Sequence, residues 1–463
     1  MTTTRAVARA RGALQAAAFG ALVTVSDLLP PSVRYGYVHR LSRILFTRPL
    51  AAVASPSTPS APTAPPDPAG AGPTEMTCVL ATFHLDVGGV GAVVEMLARH
   101  LGAQGVRPVV VCEGDGTRAA RLRASGIEVI SVDDGAAARA AIAAVRPDVV
   151  ELHSAPAWLE RAAMDARVPL VTVMHNTEIH FTAAQWRRFS ALMERSFAGV
   201  AVSETVREFH ARRVSPEAAR RMVVIPNGAP QRGAASSAER SAARGTLGAA
   251  VGVDLGDDRV VVCLARYDAQ KNIAGTVASF LAAAEELPGQ VRLVIAGDPS
   301  DWAEYWRADG VRRRSRLGDR VHLLGNSDAT TLLHAADAFV LNSFFEGWPV
   351  AATEAAAVGL PLLLSDVGGA RELVGSDSAG SVLVANASGP AADVSDARVA
   401  AARRRSNRQD NAAELAVALR TVIERRDEVA AQVRDGSSHT AAAMARAHGA
   451  LVKAATAGHP VSV

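Results

Sequence analysis

Short apolar runs, largely β-branched and without polar alternation, recur along the chain from Met76 onward. In the first half they fall at 78–83, 109–112, 149–152, 170–174, 200–202 and 222–225. In the second half they fall at 260–264, 291–296, 321–324, 338–341, 361–364 and 382–384. Continuous runs of this kind suit strands buried on both faces, as in parallel sheets. Between them the spacing turns helical. Val93, Leu97 and Leu101 step by four, and so do Leu415 and Leu419 with Val422 and Ile423 beside them. Met444, His448 and Leu451 mark a last helix. Pro226-Asn227-Gly228 reads as a hinge turn, and a polar Ala/Ser/Arg-rich segment at 230–255 joins the halves. Two successive βα arrays predict an α/β protein with two Rossmann-like parallel-sheet domains facing a central cleft.

Residues 1–50 read differently, as a basic helical extension of two pieces broken at Pro30-Pro31. The first, 13–25, is weakly apolar and short of the roughly 20 residues a membrane-spanning helix needs. Arg5, Arg9 and Arg11 resemble the charged start of a signal peptide. No small-x-small cleavage site follows promptly, so secretion is not expected. The second, 33–48, spaces Val38, Leu41 and Leu45 helically among Arg34, Arg40, Arg43 and Arg48. Such a piece suits an anionic membrane surface or, equally, packing as an extra helix on the protein body. Residues 51–75 form a Pro/Ala/Ser-rich linker, expected to be extended. The expected domains are then 76–235, 236–440 and a terminal helix at 441–456.

Charge separates the same regions. Of the 49 basic and 46 acidic residues, residues 1–66 hold seven arginines and one acid, leaving 42 basic against 45 acidic residues for the remainder. Bulk charge therefore gives the folded part no nucleic-acid partner. Cys78, Cys112 and Cys263 lie inside apolar runs without metal-ligand spacing. They read as reduced, buried residues of a cytosolic protein.

The candidate chemistry centres on two carboxylates, Glu346 and Glu354. The first follows the apolar run 338–341 in a Gly-containing turn, and the second lies one to two turns into an Ala-rich helix. Both fall where a strand ends and a helix begins, the edge at which parallel sheets bind ligands. An acid pair merely satisfying a helix dipole would look the same. Other features follow strands in order: Gly88-Gly89-Val90-Gly91, His175-Asn176, Ile225-Pro226-Asn227-Gly228, Arg266 with Lys271, Gly297-Asp298, and Gly368-Gly369-Ala-Arg371-Glu372. Singly each has a plain reading: a Gly-rich turn, a structural histidine, a solvated lysine, a capping Asp298. Ser203-Glu204 reads as a helix cap or an acceptor-side pair.

Together, and in this order and rough spacing over about residues 76–455, these motifs resemble the GT-B retaining glycosyltransferases of family 4. The resemblance implies transfer of a sugar from a nucleotide-diphosphate sugar, with no required metal or other cofactor; the basic extension alone points to a glycan or lipid-linked acceptor. The chain has no Asp-x-Asp, the usual metal motif of the GT-A type. By the same resemblance Arg266 and Lys271 contact the diphosphate and offset charge on the leaving group. Glu354 binds the ribose hydroxyls, and Glu346 and His175 face the sugar. Gly89, Gly91, Trp348 and Val350 line the donor site, while Asn176 and Ser203 lie toward the acceptor. The last helix would cross back onto the first domain. One departure stands out: Gly347-Trp348-Pro349-Val350 replaces the common Gly-Phe-Gly-Leu, and Pro349 offers no N–H. The expected setting is cytoplasmic, with 1–50 either at the inner membrane face or packed on the protein body.

Three other readings stay open on the residues alone. The first is a nucleotide-sugar epimerase of the same fold. The second is an NAD-type oxidoreductase built on Gly88–Gly91 with Glu113 at a ribose. The third is a non-catalytic sugar- or membrane-binding scaffold.

Overall fold

The computed structural model describes residues 47–54, 76–86, 88–230, 233–287, 289–377, 380–405, 408–425 and 439–458, with six isolated positions between Leu14 and Leu29. Residues 33–46 of the expected helix at 33–48 and most of the linker at 51–75 lie outside the described residues; residues 47 and 48 are described and are not helical.

The chain forms two compact units. Among the described residues, the first comprises 76–177, 182–230 and 439–458, and the second comprises 47–54, 178–181 and 233–425. Each is built on one wholly parallel sheet. In the first unit the sheet order is β3-β2-β1-β4-β5-β6-β7. The strands are β1 (Met76–Thr82), β2 (Val106–Glu113), β3 (Glu128–Val132), β4 (Val149–His153), β5 (Leu170–Met174), β6 (Ala198–Ala201) and β7 (Met222–Val224). The second unit's sheet runs β10-β9-β8-β11-β12-β13. Its strands are β8 (Arg259–Leu264), β9 (Val291–Ala296), β10 (Val321–Leu324), β11 (Ala338–Leu341), β12 (Leu362–Ser365) and β13 (Val382–Val384). Both are doubly wound, the strand order reversing between β1 and β4 in one and between β8 and β11 in the other. Ligands bind at such reversals, outside the carboxyl ends of the strands.

The apolar runs do what continuous burial requires. Every residue of β4, β5 and β11 is buried, with helices covering both faces. The expected strands are all present. The structure adds β3, which the pattern did not reveal. It lies at the sheet edge with two of its five residues exposed, so it lacks a continuous run. All three cysteines are free and buried.

Two segments from outside the βα arrays attach to these units. The helix Ala441–Ala457 packs in the first unit. The Ala229 amide donates to the His439 carbonyl and the Ala441 amide to the Ala229 carbonyl, each at 2.9 Å, and Met444, Leu451 and Val452 are buried. A Cβ on Gly228 would lie 2.3 Å from the Thr440 backbone, so only glycine admits this approach.

The stretch 47–54 docks on the second unit, although the sequence pattern places 51–54 in the linker. Gly325 donates to the Ala51 carbonyl at 2.8 Å and Asp328 to the Val53 carbonyl at 2.9 Å. Val53 is buried. The Arg48 guanidinium lies over the Tyr305 and Trp306 rings, 5.1 and 5.0 Å from their centroids, and donates to the Tyr305 hydroxyl. Among the described residues no helix is long and apolar enough to cross a membrane.

Burial of neutral histidines makes stability pH-dependent. Desolvation pushes His210 and His322 down to about 4 from the ordinary 6.5. Between those values the unfolded chain binds more protons than the folded one, so stability falls as pH drops below about 6.5. The urea midpoint at pH 5 should lie below that at pH 7.5. Equal midpoints would show that these rings do not outweigh the Glu178 carboxyl, which burial pushes up to about 7 and whose effect has the opposite sign.

Candidate active site

In the second unit the loop after β8 is organised by Asp268. Its Oδ1 accepts the backbone amides of Gln270 at 3.0 Å and Lys271 at 3.2 Å, and its Oδ2 pairs with the Arg266 guanidinium at 3.0 Å. Arg266 remains exposed and Asp268 is buried. Behind this loop the Tyr267 hydroxyl donates to the carbonyls of Ile295 and Leu324, at 3.0 and 2.8 Å. Asn272 then takes a left-handed conformation (φ 50°) and starts the helix Ile273–Ala283.

The turn after β11 meets this loop. Lys271 Nζ donates to Glu346 Oε1 at 2.6 Å. Gln270 Nε2 donates to the other carboxylate oxygen at 3.1 Å and to the Phe345 carbonyl at 2.9 Å. The pair is mostly sequestered, with the Lys271 and Glu346 side chains 16% and 6% exposed. That burial separates it from surface pairs, which contribute little. The two residues are 75 positions apart in sequence, and the adjacency of β8 and β11 at the sheet reversal brings them together.

Past Glu346 the chain is braced from below. Gly369 donates to the Gly347 carbonyl at 2.9 Å, and a Cβ on Gly369 would lie 2.1 Å from the Trp348 ring. The Trp348 indole donates to Thr353 Oγ1 at 2.8 Å. The Pro349 carbonyl accepts from the amides of Ala352 and Thr353 at 2.9 and 3.0 Å, so the proline closes the first turn of the helix Val350–Ala357. The Val350 amide is engaged by the Trp348 carbonyl at 3.0 Å. Glu354 is the fifth residue of this helix and half-buried. Asp298 accepts from Ser300 Oγ at 2.9 Å, and its carbonyl takes the Tyr267 amide.

In the first unit Gly88 (φ 148°) precedes the helix Gly89–His100, which has no side-chain cap. Space around Gly88 and Gly89 is open, whereas a Cβ on Gly91 would press on the Asp86 and His84 carbonyls at 3.3 and 3.4 Å. Free amides at a helix start attract anions. Ser203 is fully buried and its Oγ accepts the Val206 amide at 3.3 Å, the geometry of a helix cap. Asn176 Oδ1 accepts the Thr177 amide at 2.9 Å.

His175, at the end of β5, heads a chain that sequence reasoning missed. His175 Nε2 lies 3.0 Å from His153 Nδ1. His153 Nε2 lies 3.3 Å from Glu151 Oε2. The same carboxylate is 3.0 Å from His448 Nδ1, on the last helix. Glu151 and His153 are wholly buried, and His448 nearly so. The two imidazoles outweigh desolvation and hold the Glu151 carboxyl at about 2. Desolvation and the neighbouring rings hold His175 well below its ordinary value. Among the described residues no three His, Cys, Asp or Glu side chains are grouped to hold a metal ion, and this cluster is joined by direct hydrogen bonds. The following segment, Glu178–Phe181, belongs to the second unit. Burial there pushes the Glu178 carboxyl up to about 7.

Comparison with known proteins gives this architecture a family. The profile described as Glycosyltransferase Family 4 matches residues 87–230, and Glycosyl transferases group 1 matches residues 252–414. The D-inositol 3-phosphate glycosyltransferases of Mycobacterium tuberculosis and Mycobacterium bovis are 35% identical over 164 residues. That stretch is 34% of this chain and only 32% of those relatives.

Among solved structures, HepE of Anabaena in complex with UDP-glucose is 21% identical, with a TM-score of 0.61, over 83% of this chain and 98% of that one. Sucrose-phosphate synthase of Thermosynechococcus elongatus is 18% identical, with a TM-score of 0.59, over 83% and 100%. These likenesses are of fold. Two doubly wound parallel sheets with ligand-side loops at both reversals define the GT-B class. The chain belongs to the GT-B glycosyltransferases of family 4.

Proposed function

We propose that the protein is a retaining glycosyltransferase that moves a sugar from a nucleotide-diphosphate sugar to a glycan or lipid-linked acceptor, without a required metal. The observation that carries this reading is the sequestered Lys271–Glu346 pair at the reversal between β8 and β11. Departure of a diphosphate builds negative charge, and fixed cations in a site shielded from water stabilise it where it forms.

In this reading Lys271 and Arg266 take the diphosphate, and Glu354 takes the ribose hydroxyls. Glu346 and His175 face the sugar. The amides at Gly89 and Gly91 and the Trp348–Val350 turn complete the donor site, with Asn176 and Ser203 on the acceptor side. HepE, of the same fold, is known in complex with UDP-glucose, which favours a nucleotide-sugar ligand over the NAD of the oxidoreductase reading; transfer of the sugar is what separates the proposal from an epimerase or a scaffold. The working place is the cytoplasm, with the arginines of the extension ahead of Thr47 drawn to an anionic membrane face, since Arg48 itself is engaged by Tyr305 and Trp306.

Calorimetric titration with UDP, GDP and NAD, followed by a donor panel read by mass spectrometry, tests the proposal. A nucleoside diphosphate should bind, and one donor should release or transfer its sugar. Tight NAD binding without nucleoside diphosphate binding would overturn it.

A further inference from the structure

The geometry points to a tautomer-setting chain behind His175. We infer that Glu151, acting through His153, fixes the His175 ring so that it offers a hydrogen-bond acceptor to a hydroxyl of the bound substrate. This rests on the glycosyltransferase reading and adds positioning residues to it.

Donors and acceptors decide the assignment. An ionised carboxylate only accepts. Glu151 touches two ring nitrogens, His153 Nε2 and His448 Nδ1, at 3.3 and 3.0 Å, so both must carry hydrogen. A neutral imidazole has one N–H. His153 therefore has a bare Nδ1, which accepts from His175 Nε2–H across 3.0 Å. The hydrogen on His175 is committed to that bond, and its Nδ1 is left with a lone pair. Each link forces the next, from a wholly buried acid to a half-buried ring at the end of β5.

The cluster is held from several sides. Glu151 and His153 stand on β4, and the Thr82 hydroxyl on β1 donates to the His153 carbonyl at 3.0 Å. His448 reaches Glu151 from 297 positions along the chain. A carboxylate serving only to anchor the last helix would need His448 and no second imidazole. The continuation through His153 to His175 is what a packing role leaves unexplained. The hydrogen bond made by one ring nitrogen fixes whether the other carries the proton.

The test uses the full chain labelled with ¹⁵N-histidine. Long-range ¹H–¹⁵N spectra of the wild type at pH 8 should show His153 and His175 both protonated on Nε2. In Glu151→Gln the amide can donate to His153 Nε2, so both rings should switch to the Nδ1–H form. That variant should lose about 10–100-fold in kcat, by analogy with removing the partner that orients a metal-ligating histidine, while the Kd for UDP stays within about two-fold. His448→Gln keeps a donor to Glu151 and should lower kcat much less.

Wild-type spectra with the His175 proton on Nδ1 would overturn the inference, whether or not Glu151→Gln folds. So would a folded Glu151→Gln with wild-type kcat. The spectra require no turnover. Absence of nucleoside diphosphate binding would instead remove the glycosyltransferase reading on which the substrate role depends.

Discussion

Replacing Lys271 with alanine should lower kcat by about 10²–10³-fold, the cost of deleting one positioned donor to a developing anion. The ammonium has three donors. One is directed to Glu346 Oε1 at 2.6 Å, leaving two for a diphosphate. Glu346 in turn holds the ammonium in one rotamer, and Asp268 fixes the Lys271 backbone, so the cation is set before substrate arrives. Lys271→Arg should not rescue fully, because a planar guanidinium is not a point charge. Steady-state kinetics on the best donor decide the matter. Wild-type kcat in Lys271→Ala would separate this lysine from the chemistry.

Gly369→Ala should be nearly as damaging, by another route. The new methyl would fall 2.1 Å from the Trp348 ring, and overpacking of this sort costs about 1–3 kcal/mol. The ring cannot simply move aside. Its indole is bonded to Thr353 Oγ1, which is itself 3.2 Å from the Pro349 carbonyl. Displacing Trp348 therefore disturbs the turn that launches the helix carrying Glu354. Denaturant titration should show the lost stability, and UDP affinity should fall about ten-fold or more, on the scale of one lost positioned contact. A variant with wild-type stability and UDP affinity would show that the turn does not depend on that ring.

Much of this fold was legible because parallel strands buried on both faces leave unbroken apolar runs. The runs at β5, β9, β10, β11 and β13 coincide with the strands. Edges blurred where that logic weakens. β3 lies at a sheet margin and alternates irregularly. β6 begins earlier than its run because it opens with Ala198-Gly199, residues of low strand propensity. A Cβ on Gly199 would press on the side chains of Met193, Met174 and Met222.

At the site, the resemblance to family 4 picked out Glu346, Glu354, Arg266, Lys271 and His175. It could not reveal that Lys271 and Glu346 pair with each other, or that Gln270 joins them, since only the strand order creates that neighbourhood. The pairing of Glu151 with His448 was invisible for the same reason. One sits in an apolar run and the other at a core-spaced helical position, with nearly three hundred residues between them. The docking of 47–54 left no sequence signal, because a few small residues after Pro49 carry no period.

The helix Ala441–Ala457 closes the first unit, although it is translated after everything in the second. During synthesis, domains generally fold from the amino end as they emerge. Here the sheet of the first unit must stand with Glu151 lacking one of its imidazoles and the Gly228 turn uncovered until the helix, made after the whole second sheet, has emerged. Truncation just ahead of this helix would thus injure the unit whose sheet is made first.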